Sequence, residues 1–294
     1  IGNGMAGLRT IEEILERSQS QFDITIIGKE PYPNYNRIML SNILQKKMTV
    51  EDTIMNPYDW YQENNIELIN NDPVEKVDKE NKIVTTSKGI EVEYDICIFA
   101  TGSKAFVLPI PGSNLPSVIG WRTIDDTNKM IEIAQTKKRA VVIGGGLLGL
   151  ECARGLLDQG MEVTVLHLAD WLMEMQLDRK AGEMLKADLE KQGMKIELQA
   201  NSKEIIGDKD VEAIKLADGR VIETDLVVMA VGIRPYTEVA KDSGLDVNRG
   251  IVVNDYMQTS DSHIYAVGEC AEHDGKVYGL VAPLYEQGKV LADY

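Results

Sequence analysis

Ile1-Gly2-Asn3-Gly4-Met5-Ala6-Gly7-Leu8 opens the chain, and Ile143-Gly144-Gly145-Gly146-Leu147-Leu148-Gly149-Leu150 repeats it in the second half. In the spacing Gly-x-Gly-x-x-Gly, the first glycine makes a tight turn from strand to helix. The second lets the backbone approach a pyrophosphate, and the third lets the helix pack closely on the strand. Phosphate then rests on free amides at the positive end of the helix. One such match is weak, because glycine-rich turns are common. Two in register within a longer repeat are strong. Gly89, Asp95 and Gly102 correspond, at one constant offset, to Gly219, Asp225 and Gly232.

Each half therefore runs through a glycine loop, an amphipathic helix, a short strand, a β-meander with a glycine turn and an apolar closing strand. After Gly7, apolar Leu8, Ile11, Ile14 and Leu15 recur at helical spacing, with Glu12, Glu13 and Glu16 expected on the far side. Leu150, Ala153, Leu156 and Leu157 repeat the stripe, and Gly160 ends that helix. A third helix is expected over Lys180 to Gln192. The closing runs, 96–102 and 226–232, are continuously apolar and fit central parallel strands covered on both faces. The fold class is α/β with two Rossmann-like dinucleotide-binding units, and two copies of such a unit argue for two different dinucleotides. Pro109-Ile110-Pro111-Gly112 and Arg234-Pro235 break the chain. They divide it into residues 1–111, a nicotinamide-nucleotide domain over 112–235, and a return segment over 236–294.

The chain has 294 residues, too many for one small core and enough for two domains. Its 31 basic and 47 acidic side chains leave a net charge of −16, which repels phosphate backbones and anionic lipid. Nucleic acid and membrane surfaces are thus poor partners. No apolar run reaches the ~20 residues that span a bilayer, and a cytoplasmic protein is expected. Cys97, Cys152 and Cys270 are too scattered for a disulfide framework or a thiolate cage. His167, His263 and His273 lack metal-ligand spacing, so no metal site is expected; His273 reads as part of a loop. Met173, Met175, Met184 and Met194 read as helix packing. Only Ile1 stands where a buried strand should precede Gly2, and the helix from Leu284 to Tyr294 stops without glycine or proline. A portion of something longer is expected.

An acidic side chain after the second strand of such a unit ordinarily binds ribose hydroxyls. In the first unit Glu30 is the candidate, or else a solvated turn residue beside Pro31. In the second unit His167 follows the strand Glu162 to Leu166. A histidine there faces a 2′-phosphate or simply caps the strand, leaving NAD versus NADP preference open.

These motifs resemble the FAD- and NAD(P)H-dependent reductases with a glutathione-reductase-like pair of three-layer ββα domains. The supporting marks are Ala100-Thr101-Gly102 with Pro109-Ile110-Pro111-Gly112, Ala230-Val231-Gly232-Ile233-Arg234-Pro235, and Tyr265-Ala266-Val267-Gly268-Glu269. The resemblance implies FAD on the first unit, through Gly2, Gly4, Met5, Ala6 and Gly7, with Val74 and Ser41 also in contact. It implies NADH or NADPH on the second, through Gly144, Gly146, Leu147, Leu148, Gly149 and Gly232. Gly268 and Glu269 return to the flavin's ribityl chain, with glutamate in place of the usual aspartate. Arg37 would pair with the FAD pyrophosphate, or is a solvated arginine. Glu151 resembles the family glutamate that meets the nicotinamide carboxamide, or is a carboxylate favoured by the helix dipole. Asn42 stands where many relatives carry a lysine paired with that glutamate, leaving its charge less compensated. Pro283 suits a first helical turn; after Val281-Ala282 that helix would aim its positive end at the flavin.

The implied reaction is hydride transfer to FAD and electron release, with the cofactors carrying the chemistry. Relatives that relay through thiols carry cysteine in the segment corresponding to Tyr35–Ser41; none occurs here before Cys97. The flavin is thus expected to reduce its acceptor directly. Tyr35 to Ser41, Leu172-Met173-Glu174-Met175-Gln176-Leu177-Asp178, and Gly268 to His273 followed by Tyr278 to Pro283 most resemble the large subunits of NAD(P)H-dependent nitrite reductases. Those enzymes continue into iron–sulfur and sirohaem-binding parts, whose cysteine clusters this chain lacks. The alternatives are a free-standing rubredoxin or ferredoxin reductase, and a dinucleotide-binding sensor without turnover.

Overall fold

The computed structural model describes residues 1–18 and 21–294. The chain forms two compact units: one of Ile1–Asn36, Ile54–Lys104 and Arg234–Tyr294, the other of Arg37–Thr53 and Ala105–Ile233.

In the first unit, strands Ile24–Ile27 and Ile66–Ile69 pair in parallel, as do Cys97–Phe99 and Ile264–Ala266. Ile1 bridges the two pairs. Its nitrogen donates to the Ile98 carbonyl at 2.7 Å, its carbonyl accepts from Ala100 at 2.7 Å, and Gly2 N–H donates to Ile27 at 2.8 Å. The glycine loop therefore leaves the centre of a parallel sheet. Helix Met5–Arg17 follows and packs along helix Val281–Asp293. Gly288 permits the close approach, since a β-carbon there would lie 2.9 Å from the Thr10 hydroxyl. Leu8 is buried as its spacing predicts, but Glu13 is not on the solvent face. It is 3% exposed and paired with Arg9 and Arg17 of its own helix. Two cations one turn either side compensate the carboxylate, which lets the second helix cover it. The antiparallel meander Val74–Asp78, Ile83–Thr86, Glu91–Glu93 turns at Gly89, whose φ is +80°.

The second unit repeats the plan with a full central strand. Its parallel sheet runs Val118–Gly120, Leu226–Met229, Arg139–Ile143, Glu162–Leu166, Lys195–Glu197. Every side chain of Leu226–Met229 is buried, as expected of a central parallel strand. Helix Leu147–Asp158 follows the glycine loop and Gly160 ends it at φ +94°. Helix Arg179–Lys191 starts on an Asp178 side-chain cap. Its meander is Ser202–Ile206, Ala213–Leu216, Val221–Glu223.

The units divide at 104/105 and 233/234, not at 111/112 and 235/236. The reason is packing: Phe106 N–H donates to Gly232, Ala105 sits against Gly120, and Leu108 and Ile110 join the second unit's core. Residues 37–53 also join the second unit. Helix Leu40–Leu44 lies against Gly155, where a β-carbon would come 2.5 Å from Leu44 Cγ.

Two smaller expectations change. Met173 and Met194 are buried, but Met175 is 83% and Met184 66% exposed; Met175 lies in a turn rather than a helix, so no helical stripe forms. His273 ends strand Ala271–His273 and its Nε2 meets Asp255 at 2.7 Å. Among the described residues no helix is long and apolar enough to cross a membrane.

Candidate functional site

The six fingerprint glycines divide by role. A β-carbon on Gly2 would lie 2.2 Å from the Ala100 carbonyl oxygen, and one on Gly144 2.3 Å from that of Ala230. Both turn at φ beyond +100°, a conformation glycine adopts freely. On Gly7 or Gly149 it would strike the backbone of Gly2 or Gly144, at 2.8 and 2.0 Å. Gly4 and Gly146 face nothing within 4 Å. The first and third positions are closed by the protein's own backbone and the second is open, which is the shape a pyrophosphate cradle requires.

Helix ends sharpen the contrast. Helix Ile124–Thr136 carries a Thr123–Asp126 capping box and helix Arg179–Lys191 its Asp178 cap. The helices after the two glycine loops begin on Gly4 and Gly146 with no side-chain cap. Their first amides are left for an outside acceptor, where the helix dipole favours an anion. Leu147 and Leu148 extend outward, 57% and 39% exposed, so they leave that end uncovered.

In the first unit Ala100 and Gly268 stand against the glycine loop, at Gly2 and at Ala6. Gly268, at φ +87°, stands against Ala6, where a β-carbon would meet that methyl at 2.8 Å, and its N–H donates to Gln287 Oε1 at 2.8 Å. Glu269 accepts from Ser103 Oγ at 2.5 Å, one residue beyond Gly102, whose φ is +65°. Thr101 Oγ1 donates to the Tyr236 carbonyl at 2.8 Å. Helix Val281–Asp293 begins without a side-chain cap, with Ala282 and Pro283 in its first turn. Glu30 follows strand Ile24–Ile27 and accepts from the Tyr35 hydroxyl at 2.7 Å. Val74 opens the first meander strand and, partly buried, packs against the first unit's core.

Sequence reading missed a reciprocal exchange of size between two loop positions and the two strand-end positions they face. Asn3, between the first two glycines, is fixed by the Tyr61 hydroxyl, and the position after the following strand is Gly28, where a β-carbon would touch Asn3 at 3.0 Å. In the second unit the sizes exchange. The loop position is Gly145, and His167 fills the space; a β-carbon on Gly145 would fall 2.7 Å from His167 Cγ. Gly145 N–H donates to His167 Nδ1 at 3.1 Å, while Nε2 lies 2.9 Å from Glu174 Oε2. His167 thus neither lies open to a 2′-phosphate nor merely caps its strand; it props the glycine loop. Glu174 lay within a quoted motif, but nothing in the spacing tied it to His167.

Glu151 is the fifth residue of its helix, exposed, and makes no ion pair among the described residues. It stands beyond the first turn, where the dipole's favour is spent. Asn42 turns to the sulfurs of Met39 and Met48 at 3.2 and 3.5 Å. Arg37 and Ser41 both belong to the second unit: Arg37 Nη1 donates to the Arg122 carbonyl at 2.8 Å, and Ser41 is buried. Gly232, at φ +107°, has open space around it.

All three thiols are buried and free. Burial pushes Cys97 up to about 11 and raises Cys152 and Cys270 as well. A thiol held neutral in this way is neither nucleophile nor relay at neutral pH. Among the described residues no cluster of His, Cys, Asp or Glu could hold a metal ion.

A family model described as pyridine nucleotide-disulphide oxidoreductase matches residues 1–288. The chain is 58% identical over 294 residues to the nitrite reductase (NAD(P)H) of Bacillus subtilis strain 168, covering 100% of this chain and 36% of that protein. It is 47% identical over 293 residues to the same organism's assimilatory nitrate reductase electron transfer subunit, covering 100% and 38%. The solved NADH:rubredoxin oxidoreductase of Clostridium acetobutylicum is similar at a TM-score of 0.84 and 33% identity, covering 99% of this chain and 72% of that one. The chain spans little more than a third of the curated relatives' length. FAD and NAD(P)H are the family's cofactors, and the two open cradles fit two dinucleotides. The chain belongs to the pyridine nucleotide-disulphide oxidoreductase family, whose members are NAD(P)H-dependent oxidoreductases.

Proposed function

We propose that this chain is the electron-input module of a nitrite reductase large subunit, moving a hydride from NAD(P)H to FAD and electrons onward. One observation carries the reading: both glycine cradles are open while every thiol is buried. The 58% likeness to a nitrite reductase over the whole chain supports the downstream part. FAD, when bound, supplies the redox chemistry, taking up hydride and releasing electrons. The chain's own residues bind and orient. Gly4, Met5, Ala6 and Gly7 present amides to the FAD pyrophosphate, while Gly2, its own N–H given to Ile27, makes the turn that brings them there, with Glu30 serving the adenosine end. Glu269, steadied by Ser103, accepts from the ribityl hydroxyls alongside Ala100, Thr101, Gly102 and Gly268. The uncapped end of the helix at Ala282 and Pro283 favours negative charge on the isoalloxazine. Gly146, Leu147, Leu148 and Gly149 do the same for the nicotinamide dinucleotide, with Gly144, its N–H given to Leu166, making the turn, Gly232 leaving room, and exposed Glu151 meeting the carboxamide.

The test is anaerobic. The FAD-loaded protein should absorb as a flavoprotein and bleach on addition of NADH or NADPH, and the full-length enzyme should then oxidise the nucleotide with nitrite. A flavin that neither nucleotide reduces would sink the proposal. The rubredoxin reductase reading is favoured by the 72% coverage of that solved structure. It predicts fast reduction of rubredoxin by this module and none of nitrite by the full-length enzyme.

A further inference from the structure

The second unit lacks the acidic residue that ordinarily reads the adenosine ribose at the end of the second strand. His167 occupies the position and is fully engaged. It is 7% exposed, and a ring nitrogen that accepts a backbone N–H carries no proton. The proton is therefore on Nε2 and is donated to Glu174 at 2.9 Å, an assignment made from the hydrogen-bond partners.

Glu174 is held beside the glycine loop by more than this bond. Met173 N–H donates to the Gly145 carbonyl at 3.1 Å, and Leu172 is wholly buried, its Cδ2 2.6 Å from a β-carbon built on Gly145. Oε2 of Glu174 is bound by His167, while Oε1 has no partner among the described residues. The other carboxylates of this turn are occupied: Asp170 pairs with Arg179, and Asp178 caps Ala181 at 2.9 Å. Arg179 is in turn committed to Asp170 and stacked over Trp171 at 4.9 Å, so it does not balance Glu174.

We infer that Glu174, positioned by His167, replaces the missing strand-end acid: it accepts hydrogen bonds from a 2′,3′-ribose diol and repels a 2′-phosphate, selecting NADH over NADPH. The inference rests on the reading that the second cradle holds the nicotinamide dinucleotide. Glu174 is the specificity-determining group, and His167 is a positioning residue.

Titration calorimetry on the FAD-loaded chain with ADP-ribose and 2′-phospho-ADP-ribose isolates the adenosine end and needs no turnover. The wild type should bind ADP-ribose at least about tenfold more tightly. Glu174→Gln should reduce that ratio about tenfold, Glu174→Asp should retain part of it, and His167→Ala should lower it with the flavin still bound. Unchanged thermal midpoints in Glu174→Gln and Glu174→Asp separate the effect from unfolding. An unchanged ratio in Glu174→Gln, or a wild-type preference for the phosphorylated ligand, overturns the inference while flavin bleaching still upholds the module. Binding of neither ligand, with no bleaching by either nucleotide, overturns both.

Discussion

The carbonyl oxygen of Ala100 stands 2.2 Å from the point where a β-carbon on Gly2 would fall. Ala230 and Gly144 repeat the relationship at 2.3 Å in the other unit. The closing strand of each unit thus runs against the turn of its glycine loop, and the backbone contact leaves room for hydrogen alone. The second glycine of each loop meets no such neighbour, so two successive glycines of one motif, a single residue between them, serve different ends.

That difference predicts opposite phenotypes. Gly144→Ala combines a clash with backbone and a left-handed φ, and should destabilise the second unit by about 2–5 kcal/mol. Gly146→Ala meets empty space and should leave the thermal midpoint nearly unchanged, while the methyl obstructs phosphate approach and weakens dinucleotide binding at least about tenfold. Calorimetric binding alongside thermal unfolding checks both arms. Equal loss of stability in the two variants would contradict the division of roles.

The thiols give a second expectation. With Cys97 pushed up to about 11 by burial, and Cys152 and Cys270 raised too, almost no thiolate forms near neutral pH. Iodoacetamide at pH 8 should label none of the three in the folded protein and all of them in denaturant, read by mass spectrometry. Flavin reduction should survive the treatment unaltered. Fast labelling of any one with loss of flavin reduction would reopen a thiol relay.

The duplicated architecture was legible because glycine spacing and strand hydrophobicity are local signals. Ile143 to Leu150 and Leu226 to Gly232 announce turn, helix and buried strand without help from the rest of the chain. The residues that finish each site were not legible. His167, Gly145 and Glu174 make sense only together, through a size exchange with Asn3 and Gly28 that distance in sequence conceals. Burial of Glu13 was hidden for a similar reason: the helical period assigns a carboxylate to solvent, and only flanking arginines and a distant helix reverse this. The placement of 37–53 with the second unit is likewise a packing outcome, carried by Leu44 on a glycine over a hundred residues away.

Glu272 supplies a pH dependence whose sign is fixed. Burial acts to raise its pKa, but the N–H groups of Gly250 and Arg249, at 2.9 and 2.8 Å, and the Asn248 amide at 3.2 Å outweigh it and hold the carboxyl below its ordinary value. A group depressed in the folded state stabilises it above the unfolded value, about 4.3, and loses that contribution as pH falls through the folded one. Glu272→Gln should therefore cost about 1–3 kcal/mol at pH 7 and progressively less below about pH 4. Urea denaturation across that range reads the convergence, and a constant gap between the two proteins would contradict it.

Gly155 and Leu44 offer a test of where the segment 37–53 belongs. Exchanging glycine for alanine inside a helix ordinarily gains about 1 kcal/mol. Here the new methyl would lie 2.5 Å from Leu44 Cγ, in a wholly buried side chain whose carbonyl is held by Gln159 at 2.7 Å. A new rotamer does not relieve the clash, because Leu44 Cβ itself would lie 2.9 Å away and the backbone that carries it is held by Gln159, so Gly155→Ala should destabilise by about 1–3 kcal/mol instead. Leu44→Ala alone should cost about 2–5 kcal/mol through the cavity it leaves. Combined, the alanine methyl at 155 enters the space Leu44 vacates, and the double variant should be more stable than the sum of the singles by about 1 kcal/mol or more. Strict additivity in a double-mutant cycle would mean the two side chains do not touch, and that the loop carrying Tyr35 to Ser41 is anchored elsewhere.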